Sequence, residues 1–250
     1  MSNRDKTKWP EGTRNVQRTL AIIREVSRLQ NKGGSLSKIA RAVNIPIPTV
    51  KRILSVLVLE GFVTFNSKSK HYSLGYELHK MIRESVPVML KEKYHNALKE
   101  IAEITEDTAY LVIRSDYNGL CIDEAKGSCS LGIPYGVGSL TPLGLIASGI
   151  ALLAPMDDVK INEILEKNKG HYVKYKMTRE KIWRHIQTIR KSGYVRCGSH
   201  IIEGLMNVTV PVSDESGKVV CSMVVSSTDM RLAPRRCLEI VRLIKEKTDP

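Results

Sequence analysis

The chain has 250 residues, 42% of them hydrophobic and 26% charged, and a formal net charge of +13. Those proportions describe a globular protein of one large or two modest domains. They exclude a membrane-spanning helix, since no apolar run approaches the roughly 20 residues a bilayer requires, and a disulfide scaffold, since the five cysteines are odd in number and form no C-x-x-C pair. The charge is uneven. Residues 1–80 hold 15 Lys/Arg against 5 Asp/Glu, a net of +10, which leaves +3 for the remaining 170 residues. A basic surface this concentrated attracts polyanions, either nucleic acid or an anionic membrane face.

Segment 1–12 is polar and charged, unlike a signal peptide or an anchor. The first helical pattern covers 14–31, with Val16, Leu20, Ile23 and Val26 at helical spacing, followed by Leu29 or Gln30. Gly33 and Gly34 stop it. Ser35 is the expected N-cap of a second helix, with Leu36, Ile39 and Ala40 facing inward. Asn44 stands where a tight turn needs a left-handed residue. Pro46 and Pro48 forbid one continuous helix, yet proline is tolerated in a first turn, so a third helix is predicted over 48–60. On it Val50, Ile53, Leu54 and Leu57 form one apolar stripe, while Lys51, Arg52 and Ser55 point away and Thr49 flanks them. Leu59 also points outward and is expected to pack on the chain just beyond the helix.

Two short helices joined by a tight turn, the second carrying a cationic face, make a helix-turn-helix. Two strand-like runs, FVTF at 62–65 and HYSL at 71–74, flank N-S-K-S-K, so a β-hairpin wing comes next, with Lys68 and Lys70 at its tip. The candidate DNA contacts are Ser37, Thr49, Lys51, Arg52, Ser55, Lys68 and Lys70. Arg52 suits bidentate bonding to guanine, whereas threonine and lysine more often hold the phosphate backbone.

Residues 76–90 read as a linker helix interrupted by Pro87. A longer helix then runs to Thr105, with Met89, Tyr94, Leu98 and Ile101 on one side. Strands come next at 108–114 and 119–125 around an Asp116-Tyr117-Asn118-Gly119 turn. A small-residue helix is predicted over 141–154, amphipathic helices over 157–167 and 178–192, strands over 206–212 and 218–226, and a last helix over 234–247. The domain limits are thus 1–12 as a flexible start, 13–75 as a winged helix-turn-helix, 76–90 as linker and 91–250 as a second domain. The class is α+β with an antiparallel or mixed sheet.

An enzyme is the competing class, and it lacks signals. Gly136-Val137-Gly138 does not join a strand to a long helix. Asp123 and Glu124 point to opposite faces of a strand. No nucleophile elbow is present. His171, Cys197 and His200 match no common zinc spacing. The reading is therefore a non-enzyme with no cofactor and no metal, its scattered thiols reduced in the cytoplasm.

The order of SLSKIARAVNIPIPTVKRIL, a wing ending HYSLG, GYV at 193–195, GLMNVTVPVSDESGKVV and Arg231 resembles the IclR family of bacterial transcription regulators over almost the whole chain. The resemblance implies a GAF-like effector-binding domain in the C-terminal part and a homodimer or homotetramer on a palindromic operator in double-stranded DNA. It also implies regulation, as a repressor, by a small metabolite of a class that is often a carboxylate. Asn44, Pro48, Ser199, His200, Asn207 and the stretch 140–150 depart from the family pattern. The implied effector site gathers Leu140, Thr141, Leu143, Gly144, Asn207 and Ser226. A helix beginning near Thr141 would offer free N–H groups to an anion. Leu140, Leu143 and Ile146 are either its apolar walls or core of the sheet domain, and Asn207 and Ser226 supply hydrogen bonds.

Overall fold

The computed structural model describes residues 10–29, 34–83, 85–129 and 136–249. Most of the predicted start 1–12 lies outside the described residues, as do Gly33 of the helix stop and the last two positions of the 14–31 pattern. The chain divides into two units, 1–85 and 86–250, each with its own core.

In the first unit, α1 (Arg14–Leu29) packs on α2 (Leu36–Val43) and α3 (Ile47–Leu59). The buried face of α1 is Ile22, Val26 and Leu29, a rotation from the predicted stripe that leaves Val16 on the surface. Ser35 caps α2 by accepting from the Lys38 N–H, and Asn44 ends it with φ 53°, the left-handed conformation a short polar side chain tolerates. Pro46 caps α3 and Pro48 occupies its first turn. The axes of α2 and α3 diverge by 113°, inside the range of a helix-turn-helix. Val50, Leu54 and Leu57 enter the shared core with Ile39 and Val63. Leu59 is not covered as expected: it is 83% exposed, because α3 ends beside it and Gly61, at φ 74°, turns the chain away.

The wing is β2 (Val63–Asn66) and β3 (His71–Leu74), joined by a third strand that sequence reading missed, β1 (Gly34–Ser35), which pairs with β3. A two-residue strand has no periodicity to read. The predicted 76–90 helix is in fact two: α4 (Tyr76–Arg83) and the start of α5 (Val86–Thr105), with Pro87 in the first turn of α5.

The second unit is a six-stranded antiparallel sheet, order β6-β5-β4-β9-β8-β7. Its strands are β4 (Thr108–Ser115), β5 (Asn118–Lys126), β6 (Leu140–Pro142), β7 (Val195–Gly198), β8 (Leu205–Ser213) and β9 (Val219–Thr228). One face packs on α5 and α9 (Pro234–Thr248), through Leu98, Ile101, Ile240 and Ile244 against Leu111, Val210 and Met223. The other face packs on α6 (Ala147–Leu153) and, at β7, on α8 (Arg179–Ser192), and α7 (Asp158–Lys174) joins the same apolar cluster. Asp107 closes one end. Fully buried, it accepts from Ser227 Oγ at 2.6 Å and from Arg231 Nε and Arg236 Nη2 at 2.8 Å each.

Two predictions fail here for local reasons. The β4–β5 turn is narrower than the predicted Asp116-Tyr117-Asn118-Gly119: Asp116 and Tyr117 alone form it, Asp116 takes φ 56°, and Asn118 already pairs with Ser115. No helix begins at Thr141. Leu140–Pro142 pair along β5, and Gly144 at φ 90° reverses the chain. A Cβ at Gly144 would lie 2.8 Å from the Tyr172 hydroxyl and 3.0 Å from Leu165, so the turn admits little but glycine. The first α6 hydrogen bond is Ile150 N–H to Ile146 O.

Candidate functional site: a cationic helix face and an interior cavity

Two sites emerge, one in each unit. In the first, Lys51 and Arg52 are exposed on α3, opposite its buried stripe, and Thr49 is half-buried on the first turn. Ser55 is exposed, but its Oγ donates to Lys51 O at 2.9 Å, so the hydroxyl is engaged within the helix. Ser37 is exposed on α2, its Oγ 3.3 Å from that of Ser35. At the wing tip Asn66 Oδ1 accepts from the N–H groups of Lys68 and Ser69, and Lys70 adopts φ 58°. That local geometry folds the turn without either lysine side chain, and both stand exposed. Among the described residues, no carboxylate lies within ion-pairing distance of Lys51, Arg52, Lys68 or Lys70. Their charge is therefore uncompensated nearby, which is what phosphate recognition requires.

In the second unit a cavity of about 60 Å³ lies between the sheet and the start of α6. Of the predicted residues, Thr141, Asn207 and Ser226 line it, and so does Ile146. Leu140, Leu143 and Gly144 do not. Leu140 is exposed on the edge strand, Leu143 is fully buried in the helical core, and Gly144 forms the turn. The carbonyl of Leu143 accepts from Tyr172 Oη and from Asn168 Nδ2, holding the turn to α7. Asn207 and Ser226 are direct cross-strand partners, and Ser226 Oγ donates to Asn207 Oδ1 at 2.6 Å.

The rest of the lining was missed by sequence reading: Tyr110, Val112, Cys121, Ser139, Ala147, Ser148, Ser199, Leu205 and Val224. They come from six strands or their ends and one helix, so no local pattern gathers them. Period-two alternation places Tyr110 and Val112 on the same face, and a bulge opposite Leu111 and Val112 brings Cys121 to it. Tyr110 and Ser148 are at least nine-tenths buried, and among the described residues their hydroxyls meet no hydrogen-bond partner. Burial first, and the Glu124 charge second, hold the Tyr110 phenol well above its ordinary pKa. Burial likewise pushes the Cys121 thiol up to about 12. Both groups are neutral at physiological pH. Ser199 Oγ accepts from the N–H groups of Ile201 and Ile202, shaping the loop after β7. The neighbouring His200 has a pKa lowered by burial and then by Lys181.

Asp123 and Glu124 do face opposite sides of the sheet: Asp123 is buried toward α5, 2.7 Å from His95 Nδ1 and 3.3 Å from Lys91 Nζ. Four of the five cysteines are buried and all are free.

Comparison with known proteins identifies the family of both units. Residues 86–249 match the family described as bacterial transcriptional regulator IclR C-terminal, and residues 15–67 match the IclR helix-turn-helix domain. The chain is 25% identical to the HTH-type transcriptional regulator KdgR of Escherichia coli strain K12, covering 98% of this chain and 93% of that protein. It is 25% identical to the Pca regulon regulatory protein of Pseudomonas putida, covering 87% and 75%. Among solved structures it is similar to the IclR of Thermotoga maritima, with a TM-score of 0.71, 24% identity and coverage of 94% and 95%. An IclR homolog from Microbacterium hydrocarbonoxydans, complexed with 4-hydroxybenzoate, superposes with a TM-score of 0.77 at 18% identity, covering 94% and 97%. A winged helix-turn-helix with a cationic face, followed by a sheet domain with an interior cavity and matched by the two family descriptions over 15–67 and 86–249, makes this chain a helix-turn-helix transcriptional regulator of the IclR family.

Proposed function

We propose that the chain is a cytoplasmic repressor that binds a two-fold operator as a homodimer or homotetramer, with α3 in the major groove and the wing on phosphate. A small polar metabolite in the cavity beside α6 changes that affinity. The observation that carries the reading is the set of exposed cations on α3 and the wing tip, unpaired among the described residues, within a region of net charge +10. Arg52 reads a base edge, and Ser37, Thr49, Lys51, Ser55, Lys68 and Lys70 hold the backbone. The functional domains divide by these roles: 13–75 for DNA, 91–250 for the effector and 76–90 between them in the chain.

Regulation across two domains is a coupling free energy, typically 1–3 kcal/mol. The ligand needs no contact with DNA. It needs only to change the spacing of two recognition helices, which on a two-fold site must match about one helical turn, roughly 34 Å, or a multiple. The relatives are regulators rather than enzymes, and the reading assigns no catalytic step. Selection of duplexes from a random library, followed by anisotropy titration at several salt concentrations, tests it. The expected product is an inverted repeat. Recovery of no enriched sequence would overturn specific binding.

A further inference from the structure

We infer that Ile47, the first residue of α3, reads a thymine of the operator through the 5-methyl group that this base shows in the major groove. The inference rests on the proposed placement of α3 in that groove and adds to it a residue that determines specificity.

The first observation is where an apolar side chain is left uncovered. Val50 lies in the core of the first unit and Ile45 and Ile53 pack against it, whereas Ile47 does neither and is 49% exposed. An isolated exposed isoleucine needs no explanation by itself. Its position gives one here. The N-terminal residues of a recognition helix are those that meet base edges, and Ile47 opens α3. It stands one helical turn before Lys51 on the same surface. It also lines a shallow groove with Ser37, the candidate backbone contact on α2, and with Arg41 and Asn44. The other exposed apolar residues of α3, Val56 and Leu59, are nine and twelve positions further along. At 1.5 Å per residue they lie about 14 and 18 Å down the axis, past the part of the helix that reads bases.

The second observation is the chemistry around that side chain. Arg41, Lys51 and Arg52 are exposed beside it, and the groove holds no Asp or Glu. An apolar protein partner seated on Ile47 would bury these cations without counter-charge. Duplex DNA supplies phosphates to the cations and a methyl group to the isoleucine. Thymine is the base with an apolar group on its major-groove edge. The other bases present donors and acceptors that Ile47 cannot bond and would desolvate.

The third observation is that the side chain is held ready. Pro46 caps α3 at φ −56° and Pro48 follows in the first turn, so the backbone is fixed on both sides of Ile47. The β-branched side chain is itself stiff at χ1. Contact with the methyl group therefore costs little conformational entropy.

The test uses the full chain and the operator recovered from the random library. Each thymine is replaced in turn, in one half-site at a time, by deoxyuridine, which removes the 5-methyl group and keeps the base pair. Anisotropy titrations compare the parent with Ile47→Ala and Ile47→Val. In the parent, one thymine position of the half-site should be sensitive. Its replacement should weaken binding by about fourfold, the equivalent of ~0.8 kcal/mol for one buried methylene-sized group. Ile47→Ala should bind the thymine operator more weakly and be indifferent to that replacement, while Ile47→Val should keep most of the sensitivity. Both variants should melt within about 2 °C of the parent, because the side chain is on the surface. A parent indifferent to deoxyuridine at every position, or equal sensitivity in the parent and Ile47→Ala, overturns the inference. The second result would give the methyl contact to another side chain, such as Thr49. If a specific operator is recovered and either result holds, the regulator reading stands and only the role of Ile47 is lost. If no operator is recovered, sequence-specific binding fails and the inference fails with it.

Discussion

Ser226 Oγ donates a 2.6 Å hydrogen bond to Asn207 Oδ1, its direct partner across β8 and β9. The bond commits the amide oxygen and leaves Asn207 two N–H donors for anything in the cavity. Asn207→Leu should remove those donors and strand the serine, lowering stability by on the order of 1–3 kcal/mol in urea unfolding. Operator affinity without ligand should be unchanged, because Asn207 is not in the DNA-binding unit. Loss of ligand-driven DNA release with intact operator binding is the expected pattern. Retained release would remove Asn207 from the site.

Arg52 is exposed on α3, and no carboxylate among the described residues pairs with it. Arg52→Ala should cost on the order of 1–3 kcal/mol on the selected operator and relax preference at one base position. Lys68→Ala should weaken all duplexes about equally. Anisotropy on the operator and on single-base variants separates the two. Unchanged affinity and preference in Arg52→Ala would take α3 out of the groove.

Salt should weaken binding steeply. Each phosphate neutralised contributes about 0.9 to the slope of log affinity against log salt on duplex DNA. Lys51→Ala and Lys68→Ala should each reduce that slope by roughly one contact. A slope near zero in the parent protein would contradict phosphate-dominated binding.

Asp107 gathers Arg231, Arg236 and Ser227 at the end of the sheet domain. Asp107→Asn keeps the shape, removes the charge and leaves two guanidiniums facing a neutral amide. We expect a loss of about 2–3 kcal/mol. That is below the roughly 3–5 kcal/mol typical of a wholly buried pair, since the arginine side chains are 31% and 28% exposed. Chemical denaturation of the full chain measures it. A neutral effect would mean that solvent already carries the arginines.

The buried thiols set an alkaline limit. Cys121 and Cys221 are pushed up to about 12 and Cys197 to about 11 by burial, from an ordinary 9.0. The unfolded chain therefore releases these protons first, so stability falls as pH rises from about 9 toward 11. In reductant, Tm should decline across that range, less steeply in Cys221→Ala. Cys129, the one exposed thiol among the described residues, should alkylate first in the native protein.

The helix-turn-helix was legible because its signals are local. A stripe at i, i+3, i+4 and i+7, an asparagine at a left-handed cap and a proline in a first turn are all decided within about one turn of chain. The face of α1 was misread by part of a turn, because Ile22 and Ile23 are equally apolar and only packing on α2 and α3 chose between them. The stretch TPLGLIASGIALLA reads as one small-residue helix, since a short apolar run carries no mark distinguishing buried strand from buried helix. Pairing of Leu140–Pro142 with β5, and a turn that only Gly144 fits under Tyr172, divided it. The cavity was the least legible feature. Asn207 and Ser226 could be named from the sequence, but Tyr110, Cys121, Ser148 and Val224 reach it from separate elements, through strand register and one bulge. Residues more than a hundred positions apart share that wall, and nothing short of the tertiary fold brings them together.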